Sequence, residues 1–195
     1  VITATIVFNM QRVEDQIQVV RTAYVPLALQ GKELARIQSD LKAYVDEGFT
    51  DWSNLLSAET ALVRKRDQRN IALEALRQYP AKLTELSKAD ALKFEQSFDQ
   101  MAKEIDAVKP DYEVLQAAAA RSVPIDDPSI AAPLAHIKTG EARVAMSATG
   151  NSKLFQRRVE DRTQRVEENE HTLRLWTILL GLAAVALGLV TTIWV

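Results

Sequence analysis

At 195 residues the chain has room for one ordinary domain and little more. Six glycines and six prolines are about half the usual share, and Ala, Leu, Glu, Gln, Lys and Arg dominate, so turn-rich sandwiches and barrels are excluded and long helices are expected. No cysteine is present, which removes disulfides, cysteine-ligated zinc, iron–sulfur clusters and thiol nucleophiles, and a formal charge of −2 gives no basic footprint for nucleic acid.

The first eight residues, VITATIVF, are apolar and uncharged and too short to span a bilayer alone. With a start at Val1 in place of Met, residues 1–8 are expected to be the tail of an earlier transmembrane helix in a longer protein. From Ile6 an apolar seam advances by alternating steps of four and three through Met10, Val13, Ile17, Val20, Tyr24, Leu27, Leu34, Leu41 and Val45, interrupted only by Gly31 and Gln38. The spacing predicts a first helix over 5–47, stopped by Gly48 and the FTDW turn, with Thr50 or Asp51 as the next cap. A second helix over 51–86 continues the spacing through Trp52, Leu55, Glu59, Leu62, Arg66, Arg69, Leu73, Leu76, Pro80 and Leu83, and its middle is polar where a core is expected. A third over 89–121 carries Ala91, Phe94, Phe98, Met101, Ile105, Val108, Tyr112, Leu115 and Ala119 on one face. After SVPIDDPS, a fourth over 129–195 shows Ile130, Leu134, Ile137, Val144, Ala148, Phe155, Val159, Val166 and Leu173, with TGNS at Thr149–Ser152 as the expected extra break.

That last helix leads into LWTILLGLAAVALGLVTTIWV, Leu175 to Val195, 21 residues without a charge and long enough to cross about 30 Å of hydrocarbon. Trp176 and Trp194 suit the two headgroup boundaries, and Ala184, Gly188 and Thr192 form a small-residue row for close helix packing. The expected organisation is therefore a polar domain, residues 9–174, between two membrane helices, 1–8 and 175–195. The expected fold is all-α, an antiparallel up-down four-helix bundle of long helices whose last member continues into the membrane. Inside it Phe94, Phe98, Met101, Ile105 and Leu115 should face Val20, Leu27, Leu34 and Leu41.

This layout resembles the extracytoplasmic four-helix-bundle sensor domains of bacterial sensor histidine kinases and methyl-accepting chemoreceptors. The segment YVPLALQGKELARIQSDL, Tyr24 to Leu41, is similar to their first helix, with a proline a few turns above the membrane and a leucine-rich run after it. The stretch GLVTTIWV, Gly188 to Val195, is similar to second membrane helices that lead into a HAMP-type linker and a kinase core. The resemblance implies an input segment in the bacterial inner membrane, with residues 9–174 extracytoplasmic, a parallel homodimer, and a parent chain that is a protein histidine kinase. A chemoreceptor is the second parent type. No ligand-binding arginine pair of the aspartate-type chemoreceptors maps onto this sequence, so the resemblance brings no ligand with it. A membrane-anchored structural coiled-coil scaffold would show the same heptads and the same anchor, and it stands as the alternative of another class.

No catalytic constellation is present. His136 and His171 lie roughly 50 Å apart along one helix and cannot share a metal, and there is no phosphate loop, serine elbow or His-Glu-x-x-His run. The alternating acids and arginines of 157–170 read as exposed pairs on a solvated helix. No cofactor and no metal are expected. What stands out is Glu59, Arg66 and Arg69 on seam positions of the second helix, because a buried charge needs a partner or a ligand. Counting along antiparallel helices puts Arg66 and Arg69 level with Pro26, Pro110 and Gly150–Asn151, three helix defects, with Asp106 as the nearest acid. Two readings follow: the arginines line a site for a small anionic ligand, with Glu59 and Asp106 beside it, or they are satisfied by acids or reach out to water while neighbouring apolar residues pack. A periplasmic protein is the other partner class such a domain would read.

Overall fold

The computed structural model describes the backbone of residues 2–48, 55–82, 86–121, 123 and 127–194, and side chains over 10–47, 61–79, 86–121, 123, 127–172 and 174–183. Among the described residues the regular structure is helical throughout, with no strand. The helices are α1 (Ile2–Val19), α2 (Val25–Gly48), α3 (Leu55–Lys82), α4 (Lys88–Ala120) and α5 (Pro128–Trp194), with a π turn at Val20–Tyr24 between the first two. The FTDW turn, and Ser122 and 124–126 of SVPIDDPS, lie outside the described residues.

The helix ends follow local chemistry. Ser87 caps α4 by accepting the Asp90 N–H at 3.1 Å, and Asp127 caps α5 by accepting the Ser129 N–H at 2.8 Å, just ahead of Pro128, whose missing N–H costs nothing in a first turn. Hydrogen bonding from Ser129 holds the Asp127 carboxyl below the usual carboxylate range. Two sequence expectations are corrected. The first helix is not one regular run: before Pro26 the helix widens, with the Val25 N–H reaching the Val20 carbonyl five residues back. A proline ring crowds the carbonyl four residues earlier and offers it no donor, and a wider turn is one way to absorb that defect. The expected break at Thr149–Ser152 does not occur, since α5 passes through it. A glycine costs a helix only about 1 kcal/mol, and here Asn151 and Ser152 are buried, with Asn151 hydrogen-bonded to Ser97 of α4.

The chain divides into two compact units, Pro26–Gln156 and Val1–Val25 with Arg157–Val195. In the first, four helices pack together around a core of Leu27, Leu34, Leu41 and Val45 from α2, Leu73 and Leu76 from α3, Phe94, Phe98, Met101, Val108, Tyr112 and Leu115 from α4, and Ile130, Ile137, Val144, Ala148 and Phe155 from α5. The expected core residues are buried, except that Ile105 and Val20 are half-buried. Phe155 packs edge-on to Phe94 with centroids 4.9 Å apart and tilted on Phe98 at 5.6 Å. The first seam interruption, Gly31, is where α2 meets that ring: a Cβ there would lie 2.4 Å from the Phe155 ring. Gly140 of α5 does the same for Val108 of α4, at 2.3 Å.

In the second unit Ala23, Tyr24 and Val166 are buried, the Arg162 guanidinium lies 5.4 Å from the Tyr24 ring centroid, and Asn169 donates to Gln16 at 3.0 Å. Seam residues Met10 and Ile17 are exposed. Among the described residues no helix is long and apolar enough to cross a membrane. The side chains of 1–9 and 184–195 lie outside the described residues, and with them the first expected span, Trp194 and the row Ala184, Gly188, Thr192. Within the described part, Leu175, Trp176, Ile178, Leu179 and Leu182 of α5 are each at least 50% exposed.

The two close approaches and one open glycine make a test of the packing. Gly31→Ala and Gly140→Ala should each destabilise by about 1 to 3 kcal/mol through overpacking. Gly150→Ala, whose Cβ would meet nothing within 4 Å, should stabilise by about 0.5 to 1 kcal/mol. Denaturant unfolding of the three variants measures this, and a destabilised Gly150→Ala would contradict the open position.

Candidate functional site

Each of the four helices of the Pro26–Gln156 unit brings one polar side chain to the core at the same level. On α2 the seam runs Leu34, Gln38, Leu41, and Gln38 is fully buried. On α3 it runs Arg66, Arg69, Leu73, and Arg69 is 1% exposed. On α4 Tyr112 follows Val108, and on α5 Glu141 fills the step between Ile137 and Val144 with no exposure at all.

These side chains close on the Glu141 carboxylate. Arg69 donates from Nη1 to Oε1 and Oε2, both at 3.0 Å; Gln38 donates from Nε2 to Oε2 at 2.7 Å; the Tyr112 hydroxyl donates to Oε1 at 2.9 Å. Gln38 Nε2 also lies 3.2 Å from the Glu141 backbone carbonyl, and the Arg69 Nε–H reaches Asn70 Oδ1 at 3.2 Å. Four donated contacts fill the lone-pair directions of one carboxylate, which is the condition under which an ion can stay in a core. Burial, with the Glu141 charge beside it, pushes the Tyr112 phenol far above its ordinary range, so it stays a donor. On one side of the layer lie Leu41, Val45, Leu115, Ile130 and Ile137; on the other lie Val108 and the Phe94–Phe98–Phe155 group.

Arg66 stands at the edge of this layer. Its guanidinium carbon is 4.0 Å from the Tyr112 ring centroid, a cation–π stack, and its Nε is buried without an acceptor among the described residues. Burial lowers the guanidinium's pKa from its ordinary value, and the like charge of Arg69 pushes the same way.

Of the residues singled out in the sequence, the structure brings Arg66 and Arg69 to one layer with Tyr112. It does not bring Asp106, which is exposed on α4; the acid facing Arg69 is Glu141. The Glu59 side chain lies outside the described residues. The level inferred by counting is correct for α4, where Tyr112 follows Pro110, and wrong by about two to three turns on α2 and α5, where Gln38 and Glu141 stand in place of Pro26 and Gly150–Asn151. Counting from helix ends assumes helices of equal length, whereas register is set by which seam positions are polar. Gln38 was visible as a seam interruption, and Glu141 was visible at one of the skipped positions of the α5 seam, the step between Ile137 and Val144.

His136 Nδ1 meets Asp111 Oδ2 on the exposed side of α4 and α5, and among the described residues no group of three metal-ligating side chains occurs. No protein-family model, curated protein or solved structure matches this chain.

Breaking the layer at one partner leaves a buried charge unpaired. Arg69→Met and Glu141→Leu should therefore each cost about 3 to 5 kcal/mol, whereas the double variant should recover most of the loss. Equal and additive losses in denaturant unfolding would show that the two residues do not act as a pair. Tyr112 adds a pH signature. Its folded pKa is raised, so the unfolded chain releases that proton first and stability falls as pH climbs through the ordinary tyrosine range near about 10. Tyr112→Phe should flatten that fall, measured as unfolding free energy between neutral and alkaline pH.

Proposed function

We propose that the chain is the signal-sensing and transmembrane segment of a bacterial membrane receptor of the sensor histidine kinase type. In this reading residues 9–174 form an antiparallel up-down bundle outside the inner membrane, 1–8 end the first membrane helix, and 175–195 form the second. One observation carries it. The helix that contributes the layer's carboxylate, Glu141, also carries Leu175, Trp176, Ile178, Leu179 and Leu182, large apolar side chains exposed on a helix and in need of an apolar surrounding. A change in core packing at Glu141 is then a change in the membrane helix, delivered by displacement and without chemistry. Such a domain acts as a homodimer and shifts between two packings only by the differential affinity of what it binds, with couplings of about 1 to 3 kcal/mol typical.

Arg66 is the residue through which a small anion would act. Arg69 is committed to Glu141, and Arg66 offers a guanidinium fork of the kind that matches carboxylates and phosphates. In thermal unfolding of the full chain with acetate, succinate or inorganic phosphate, an upward shift with one of them and its loss in Arg66→Gln are expected. No shift with any of the three would remove the anion and leave a protein partner as the signal.

Topology tests the reading as a whole. Since the chain has no cysteine, Gln96→Cys on the exposed face of α4 is a unique label site. In intact bacteria it should react with a membrane-impermeant maleimide, and the protein should stay in the membrane pellet after alkaline extraction. Labelling only after lysis, or release at alkaline pH, would overturn the proposal.

A further inference from the structure

Four contacts fix the order of helices around the Pro26–Gln156 unit. Gln38 of α2 meets Arg69 of α3, Arg77 of α3 meets Asp99 of α4, Tyr112 of α4 meets Glu141 of α5, and Glu141 meets Gln38. The α2–α5 side and the α3–α4 side are thus opposite faces of one bundle.

Their outer surfaces differ in charge. The α2–α5 face holds a shallow groove with Met146 exposed in its wall, open space above Gly150, and Lys42 and Lys153 as its only charged residues. On the opposite face α3 presents Asp67, Ile71, Glu74 and Gln78 at helical spacing, with Ile71 70% exposed, and α4 adds Glu95 and Asp99 beside Glu74. Two arginines accompany those carboxylates: Arg77 is bound to Glu74 and Asp99, and Arg64, exposed three residues before Asp67, ends the same stripe.

The heights also match. Lys42 lies between Gln38, which meets Arg69, and Tyr44, whose ring lies 6.0 Å from Lys65 Nζ, so its level on α3 is that of Asp67. Lys153 is next to the level of Phe155, which meets Phe94, and Phe94 adjoins Glu95. Met146 and Ile71 fall between these two levels on their own faces. One face therefore reads cation, apolar hollow, cation, and the other reads carboxylate, apolar knob, carboxylates, in the same order along the bundle.

We propose that copies of this chain associate side by side in the same direction, the α3–α4 face of one copy seating Ile71 in the Met146–Gly150 groove of the next. Asp67 then faces Lys42, and Glu95 with Asp99 faces Lys153. The Lys42–Asp46 pair at 2.5 Å is no obstacle, since exposed pairs on one helix are worth little and exchange partners readily. Because the two faces are different and opposite, the contact is heterologous and extends into rows instead of closing as a symmetric dimer. The inference is independent of the proposed sensing role and applies equally to a scaffold.

Single-cysteine variants of the purified full chain test it. Ile71→Cys and Met146→Cys alter exposed side chains and leave every charge in place. Oxidation of the two variants mixed should give a cross-linked pair, neither alone should cross-link, and a chain carrying both should give a ladder of higher species. Yield should be lost in about 1 M salt, where charges beyond about 3 Å are screened. It should also be lost when Lys42→Glu and Lys153→Glu are added to the Met146→Cys chain, and restored when the other chain carries Asp67→Lys and Glu95→Lys. Cross-linking of Met146→Cys with itself would overturn the proposal in favour of a symmetric contact. No mixed product, or a mixed product indifferent to charge reversal, would overturn it outright.

Discussion

The burial of one carboxylate is the constraint around which the Pro26–Gln156 unit is arranged. Glu141 has no exposed surface, and an isolated ion in such a place costs more than a small domain can spare. It is held because three other helices each bring a donor to it: Gln38 from α2, Arg69 from α3 and Tyr112 from α4. Apolar packing is tolerant of small shifts along a helix axis, whereas four directed hydrogen bonds to two oxygen atoms are not. The layer therefore fixes the axial register of all four helices at one height, and the apolar groups above and below it add cohesion without having to specify that register.

The glycines next to the layer belong to the same arrangement. For Glu141 to reach Tyr112, α5 must run close to α4, and Gly140 is where Val108 occupies the space a side chain would need. Gly31 does the corresponding service toward Phe155 on α2. Gly31 interrupts an apolar seam and Gly140 adjoins the seam position of Glu141, and both are contacts between backbone and side chain, not gaps.

Helix type and position were legible in the sequence because the apolar spacing is regular and is punctuated at Gly48, Ser87 and the SVPIDDPS stretch. The core was legible for the same reason, as Phe94, Phe98, Leu34 and Leu41 show. The π turn was not, because Pro26 announces a defect without saying how neighbouring turns absorb it. Asn151 and Ser152 were read as breakers, yet both are buried, and Asn151 is hydrogen-bonded to Ser97 of α4. The arginine layer was half legible. Charged residues on a seam are visible one helix at a time, but their pairing depends on axial register, which counting from helix ends does not determine. The polar interruptions Gln38 and Glu141 held that information, since a buried cation, a buried amide and a buried acid on three seams satisfy one another only at a common height.

A polar layer inside an otherwise apolar bundle also bears on the proposed signalling role. A close-packed core already resists continuous sliding of one helix, and a layer of directed contacts adds to that resistance at one height. With the layer present, moving α5 along its axis must break the Arg69, Gln38 and Tyr112 contacts to Glu141 together or not at all, which makes the displacement cooperative. Arg66, stacked on Tyr112, has a buried N–H without an acceptor among the described residues. In the proposed reading an anion that satisfies Arg66 changes the balance at Tyr112 and hence at Glu141, on the helix that carries the exposed apolar run. The same property that fixes the fold, a carboxylate demanding several simultaneous donors, would then make its alternative a discrete second state.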